Sequence, residues 1–439
     1  MECVVFHARS VNREPCAVPA NRCDLEKESA MLNVIRTILI AGTAMLFAAG
    51  GPVVAQQKGA PIKLGLIDIY SGGFAFIADT IRTGFQIAID EANAAGGLNG
   101  RQFQLVTADM GPSVEKAVTE GRRMILEEKI KFVTVGIHSG AAVAVGNLGK
   151  EHKALIVGGF ATTKRLTAEA GHPYVARANL STVEIGRVMA ERLKTMPDIK
   201  RVSLISPDYE YGQHFAADFV TAIKVTRPDI IIVRQEWPKL GAADFGAHVT
   251  ALQAQPTDMI VAGVFGADLV NFLKAGRDFG LLKGKMQLFI HGADLAKLGA
   301  MKDSLPEGTL TTVWYPFYAI DNPRSKAFAA EVEKRMKTYA TGPAPVGYTA
   351  GRMIIEAIKK AGSDDVDKVR DQLGNVQFEG PTGLIKVRGC DNTALYNFYV
   401  GNIKRDAKFP DGIGVENVKT FNTESVVRSC VEILRVRGG

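Results

Sequence analysis

The chain has 439 residues, 53 Lys and Arg against 46 Asp and Glu, a formal charge of +7, and 46% hydrophobic residues. The charge is dispersed through mixed-sign stretches such as Glu127-Glu128-Lys129 and Glu331-Val332-Glu333-Lys334-Arg335, which read as solvated helix faces and exclude a nucleic-acid-binding stripe. The length excludes a single small core.

At the start of the chain, Arg36 precedes an apolar segment from Ile38 to Ala49, and Val53-Val54-Ala55 places small residues at a cut before Gln56. This is the pattern of a secretory signal peptide. The apolar run is shorter than the roughly 20 residues a membrane span needs, with an uncleaved anchor as the alternative. Residues 1–30, with Cys3, Cys16 and Cys23 and mixed charge, fit neither a signal nor a folded domain and read as an overlong start. The leader is therefore 1–55, an overlong 1–30 followed by a signal peptide 31–55. Its removal leaves Cys390 and Cys430, and an exported protein with two thiols commonly joins them. Such a bridge closes a loop of about 40 residues and contributes about 4 kcal/mol by chain entropy. The alternative is two buried free thiols.

Behind the leader, Ile62-Lys63-Leu64-Gly65-Leu66-Ile67 is an apolar run of strand length, ended by Tyr70-Ser71-Gly72-Gly73. Ile77, Ile81, Phe85, Ile89 and Ala92 then recur at helical spacing, and Ala95-Gly96-Gly97-Leu98-Asn99-Gly100 stops the helix before a second strand, Phe103 to Val106. This is a β-loop-α-β unit of the kind that builds parallel sheets. The alternation continues with a helix near Val114 to Leu126, a strand Lys131 to Val135, a helix near Ala141 to Glu151 and a strand Ala154 to Val157. The rhythm restarts past Asn179. Strands are predicted at Arg201 to Ile205, Ile230 to Val233, Met259 to Ala262, Met286 to Ile290 and Thr309 to Val313, with helices between the first four of them.

Two long helical patterns follow, Ser325 to Tyr339 and Tyr348 to Ala361, and then a hairpin-like segment with arms Leu384 to Val387 and Tyr396 to Val400. The simplest arrangement returns the helices to the first lobe and the hairpin to the second. The expected fold is α/β, with two Rossmann-like lobes of parallel sheet joined by a hinge of several crossings. Residues 61–178 and 314–375 are assigned to the N-terminal lobe, and 179–313 and 376–439 to the C-terminal lobe.

Several local patterns now stand together: the Ser71-Gly72 turn, the helix ending Asp90-Glu91-Ala92-Asn93-Ala94-Ala95-Gly96-Gly97-Leu98-Asn99-Gly100, the Gly136 to Ala144 loop, and Ala161-Thr162 leading to Leu166-Thr167. With Asp208 to Gly212 and Gly347-Tyr348-Thr349-Ala350, they resemble the type I solute-binding proteins of the periplasmic leucine/isoleucine/valine-binding kind. The resemblance spans Ile62 to Val400. It implies a type I periplasmic binding fold that captures a small carboxylate-bearing solute between its lobes and delivers it to the permease subunits of an ABC importer. It also implies a periplasmic monomer without cofactor, metal site or enzymatic activity. A ligand-sensing module for a regulator or receptor is the alternative, and an exported hydrolase the third class.

Open α/β sheets bind ligands at the carboxyl ends of their strands, and helix N-termini attract anions. Ser139 and Gly140 stand at such a place, as a carboxylate grip or as a plain N-cap; in the resembling family this loop and the next hold an amino acid's carboxylate. Thr162 matches the family's ligand-binding threonine, next to Ala161. Phe160 stands where the family is usually small, so it either narrows the pocket or packs in the core. Tyr209 or Tyr211 matches a ligand-contacting tyrosine, or merely walls the cleft, and Phe265 matches a frequent aromatic or packs in the core. The family's acidic partner for the ligand's ammonium falls near Ala293 and Asp294. Asp294 is the shifted partner, or it caps a helix, in which case the cleft prefers an amine-free acid. Tyr70, Phe74 and Phe76 are expected at the rim, and Trp314-Tyr315-Pro316-Phe317-Tyr318 at the hinge, with a side chain of that cluster reaching the cleft as the alternative, which would favour an apolar or aromatic ligand.

Other chemistry is missing. Gly136-Ile137-His138-Ser139-Gly140 lacks the glycine two places before the serine that a nucleophile elbow needs. Gly280 to Met286 is one spacer short of a phosphate loop. The histidines have no metal spacing, so His138 is a hydrogen-bonding candidate.

Overall fold

In the computed structural model residues 59–438 are described, apart from 285 and 294; the expected leader and Asp294 lie outside the described residues. The opening unit forms as read. β1 (Ile62–Asp68), the helix Ala75–Ala94 and β2 (Phe103–Asp109) follow in order, and the two strands pair in parallel from Ile62↔Phe103 to Asp68↔Asp109. β3 (Phe132–Val135), β4 (Leu155–Gly158) and β5 (Val175–Arg177) extend the sheet in parallel.

A second sheet holds β6 (Arg201–Ile205), β7 (Ile231–Glu236), β8 (Met259–Ala262), β9 (Gln287–Ile290) and β10 (Leu310–Val313), again in parallel. The chain then returns to the first sheet with β11 (Gln377–Gly380), β12 (Gly383–Arg388) and β13 (Thr393–Leu395), and ends in the second with β14 (Asn397–Arg405) and β15 (Ile413–Asn422). The strand orders are β11-β12-β13-β5-β4-β3-β1-β2 and β15-β14-β10-β9-β8-β6-β7.

Two expectations change here. Both sheets are mixed rather than parallel, because β11–β12–β13 and β10–β14–β15 pair antiparallel. The predicted hairpin also divides. Its first arm, β12, pairs with β11 and β13 in the first sheet, whereas its second arm, β14, belongs to the second sheet, so 376–395 does not join the second sheet as its assignment to the C-terminal lobe required. The physical reason lies at the free edge of β5. β13 docks there in parallel, the Arg177 N–H donating to Asn392 O at 3.1 Å and the Asn392 side chain to Val175 O at 3.1 Å. A three-residue strand carries too little alternation to be read.

Alternate residues of the strands feed opposite faces. In β3 and β4, Phe132, Leu155 and Val157 enter one core cluster, and Val133, Val135 and Ile156 another. β8 does the same with Met259 and Val261 against Ile260 and Ala262. The helix Pro343–Ala361 returns to the first lobe and packs on Ala75–Ala94 at very close range. A Cβ on Gly84 would stand 1.8 Å from Ala344 O, and one on Gly347 2.1 Å from Ile81 O, so both positions require glycine. Arg324 and Arg335 on the intervening helix pair with Glu91 and Asp90, each at 2.7 Å.

The chain passes between the sheets after β5, after β10 and after β13. One residue ties these crossings together. Asn179 is fully buried; its side-chain oxygen accepts from Trp314 Nε1–H at 2.8 Å and from the Tyr396 hydroxyl at 2.7 Å, and its amide donates to Phe160 O at 3.0 Å. Cys390 and Cys430 are bonded, with Cα atoms 5.8 Å apart, linking the turn after β12 to the terminal helix Cys430–Val436.

Candidate ligand cleft

The carboxyl ends of both sheets converge on one cavity with about 50 Å³ of room for water, the space of a few solvent molecules. Phe160 and Thr162 reach it from behind β4, Tyr209 and Tyr211 from behind β6, and Phe265 from behind β8. Thus five of the residues singled out in the sequence meet at one place. Ser139, Gly140 and Ala161 do not line it.

The helix Ser139–His152 explains part of that difference. Its first turn is capped by its own His138, whose Nδ1 accepts the Ala141 N–H at 3.2 Å, and the imidazole packs on Tyr209 with ring centres 5.0 Å apart. The ring thus covers the helix end that was expected to face an anion. Burial lowers the His138 pKa below its ordinary value, with the Glu210 charge opposing, so the cap is a neutral acceptor. Ser139 Oγ is buried without a hydrogen-bond partner among the described residues.

The two tyrosines separate by their hydroxyls. Tyr211 donates to Gly263 O at 2.9 Å, and that hydroxyl is engaged by the fold. Tyr209 has no such bond among the described residues, so its hydroxyl is the one left for a ligand. Burial raises the pKa of both phenols, so both stay protonated. Thr162 Oγ1 likewise has no protein partner among the described residues, while the Thr162 carbonyl accepts from Thr182 N–H at 2.9 Å across the crossing that follows β5.

Aromatic rings fill much of the wall. Phe160 packs on Trp314 with centres 4.9 Å apart, and Trp314 on His291 at 4.8 Å. Trp314, expected at the hinge, therefore serves both the hinge and the cavity. Gly292 makes this possible: it has a φ of +73°, and a Cβ there would lie 2.2 Å from the indole ring. Sequence reasoning missed His291, Ile77, Ile137 and the pair Gly342-Pro343 as lining residues. His291 follows β9 as Phe265 follows β8, but no family pattern pointed to it. Gly342 and Pro343 carry no local signal, because they arrive from a distant helix start.

The lobes touch around the cavity. Phe74 packs against Phe265 with ring centres 5.4 Å apart, and a Cβ on Gly73 would come within 2.9 Å of Ala267 Cβ. On another side Thr163 donates to Glu210 at 2.6 Å and Lys164 pairs with Asp218 at 2.5 Å. These contacts describe a closed cleft. Of the expected rim residues, Phe74 forms this lobe contact, and Phe76 lines an adjoining cavity of about 400 Å³ against Ala267 and Val270. Tyr70 sits lower, its N–H bonded to Asp109 at 2.9 Å and its hydroxyl buried without a partner among the described residues.

No carboxylate lines the cavity among the described residues. Asp68, at the end of β1, accepts from Ile69 and Ile137 N–H groups at 2.9 and 3.0 Å, and burial pushes its pKa up to about 7. Asp268 is raised to about 6, also by burial, with the Gly241 N–H opposing. Neither is among the lining groups.

Comparison with known proteins agrees with this architecture. The family described as "Periplasmic binding protein" matches residues 61–408. The leucine-, isoleucine-, valine-, threonine- and alanine-binding protein of Pseudomonas aeruginosa is 25% identical over 352 residues, covering 79% of this chain and 91% of that one. A solute-binding protein of an ABC transporter from Rhodopseudomonas palustris, solved with 3,4-dihydroxybenzoic acid, superposes with a TM-score of 0.75 at 21% identity, covering 84% and 98%. Another from R. palustris, solved with 4-hydroxybenzoate, gives 0.74 at 22% identity, covering 83% and 97%. The chain belongs to the periplasmic binding protein family, in its type I branched-chain amino acid importer group, whose members are solute-binding proteins rather than enzymes.

Proposed function

We propose that this chain is exported to the periplasm, where it acts as a monomer, captures a small amine-free aromatic carboxylate and presents it to the permease subunits of an ABC importer. The observation that carries this choice is the cavity wall: Phe160, Tyr209, Phe265 and Trp314 surround it, with no carboxylate among the described residues to neutralise an ammonium. An unpaired buried charge is costly, so an amino acid's ammonium needs an acid there. Among the described residues no Lys or Arg lines the cavity either. The ligand's carboxylate is therefore held by neutral donors, Thr162 Oγ1 and the Tyr209 hydroxyl, each hydrogen bond to a charged group contributing about 1.5–3 kcal/mol. Two structural neighbours were solved with hydroxylated benzoic acids, which have this chemistry.

The 50 Å³ now free is less than the about 150 Å³ of a cavity that holds benzene, so the lobes part to admit the ligand, and closure then follows from contacts to both of them. A ligand touching Thr162 on one side and Tyr209 on the other stabilises the closed form, whereas one held by a single lobe shifts nothing. A second reading, a hydrophobic amino acid, is favoured by Ala293 at the wall, since Asp294 is its neighbour in sequence. Calorimetry on the Gln56 to Gly439 protein separates the two. Benzoate and 4-hydroxybenzoate are expected to bind and leucine or phenylalanine to bind at least tenfold more weakly; the reverse order overturns the proposal. Thr162→Ala is expected to weaken carboxylate binding about tenfold or more, and unchanged affinity would refute its grip.

A further inference from the structure

We infer that His291 is the specificity-determining donor of the second lobe, a neutral imidazole whose Nε2–H selects ligands with a hydrogen-bond acceptor at the end remote from their carboxylate. The inference rests on the cleft being the solute site proposed above. His291 is only 2% exposed, yet its ring lines the cavity. Its Nδ1 lies 2.8 Å from Thr312 Oγ1, and the same hydroxyl accepts the Gly292 N–H at 2.9 Å.

That pair of bonds decides where the imidazole proton sits. Thr312 is fully buried, and its hydroxyl has one proton to donate. If Nδ1 carried the imidazole proton, Oγ1 would accept from both Nδ1 and Gly292, leaving its own proton without an acceptor among the described residues. A buried donor left unpaired is disfavoured. The hydroxyl therefore donates to Nδ1, and the ring proton resides on Nε2.

The remaining surroundings hold the ring in place. The His291 N–H donates to Ala262 O at 2.8 Å, Phe215 stacks on the imidazole at 5.3 Å with planes 26° apart, and Trp314 packs at 4.8 Å. Nε2 has no protein partner among the described residues. Burial in this apolar setting lowers the pKa to about 3, which keeps the ring uncharged. With Thr162 Oγ1 and the Tyr209 hydroxyl engaging the carboxylate, and the Tyr211 and Trp314 donors held by the protein, the Nε2–H is, among the described residues, the side-chain donor of the lining left for the ligand's other end. A phenolic, ether or carbonyl oxygen there completes it, whereas a methyl group leaves the donor unpaired.

The test combines ¹⁵N-histidine NMR with calorimetry. The spectrum of the wild-type protein at pH 7 is expected to show His291, identified by its loss in His291→Phe, as the Nε2–H tautomer. The Nδ1–H tautomer or an imidazolium overturns the inference without any ligand. In calorimetry, 4-hydroxybenzoate is expected to bind about tenfold tighter than 4-methylbenzoate, its near-isostere. In His291→Phe the ratio is expected to fall to within about threefold. Thr312→Val, which frees the tautomer, is expected to reduce the ratio in the same direction. Binding of both acids without the preference, or with a preference that survives His291→Phe, overturns the inference alone. Failure of every carboxylate to bind the wild type overturns the proposed function and this specificity with it.

Discussion

Replacing Asn179 by alanine tests whether the three inter-sheet crossings act as one joint. The residue is 0% exposed, and its side chain makes three hydrogen bonds, to Trp314 Nε1 at 2.8 Å, Tyr396 Oη at 2.7 Å and Phe160 O at 3.0 Å. Each buried bond contributes about 1 kcal/mol net, and stranding a buried donor costs about 1–3 kcal/mol. Alanine removes one side of all three bonds, so the expected loss is about 3–4 kcal/mol. Urea unfolding followed by tryptophan fluorescence reads this as a lower midpoint with an unchanged slope. Trp314→Phe removes only the indole donor, and a double-mutant cycle between the two positions should give a coupling of about 1 kcal/mol or more. A loss below about 1 kcal/mol in Asn179→Ala, or strict additivity in the cycle, would refute the joint.

Asp68 makes the fold sensitive to pH. Its pKa rises on folding from about 4 to about 7 because burial disfavours the charged form, so the folded state holds the proton more tightly. Its contribution is complete below about pH 4 and is lost as pH rises through 7, up to about 4 kcal/mol in all. Asp68→Asn should flatten stability between pH 4 and 7; an unaltered pH profile would sink this account. Glu210→Ala removes the contacts to Thr163 at 2.6 Å and Arg165 at 3.2 Å that join the lobes. Affinity for benzoate should fall about fivefold, roughly 1 kcal/mol of lost closure, with dissociation accelerated; a gain in affinity would contradict it. Reducing Cys390–Cys430, which spans 40 residues, should lower stability by about 4 kcal/mol on loop entropy, read as the difference between oxidised and reduced urea midpoints. No difference would show that the loop is already constrained in the unfolded chain.

The cavity also shows which parts of a site are legible before folding is known. Phe160, Thr162, Tyr209 and Phe265 each follow a strand, where a parallel sheet sends such loops to one edge, and the family resemblance singled them out there. The same rule reaches His291, but its importance depends on Thr312, a residue of the neighbouring strand that only sheet pairing brings within 2.8 Å. Tyr209 and Tyr211 are indistinguishable by spacing. They separate once Gly263 O is seen to engage one hydroxyl. Ser139 looked like an anion grip because a hydroxyl at a helix start has that potential, and His138 shows that a neighbour can fill the same place.

The alternation of apolar and polar residues was sufficient for the α/β class, the order of the main elements and the first βα unit, since strand and helix periods are written locally in which side chains must be buried. Folding alone decided that β12 and β14 part company into different sheets, that three crossings meet at Asn179, and that His291 meets Thr312 beside the cleft. These depend on which distant segments claim a free strand edge or a hydrogen-bonding partner. Such competition is settled by the whole chain, because a buried donor is satisfied by whatever acceptor the packing brings to it.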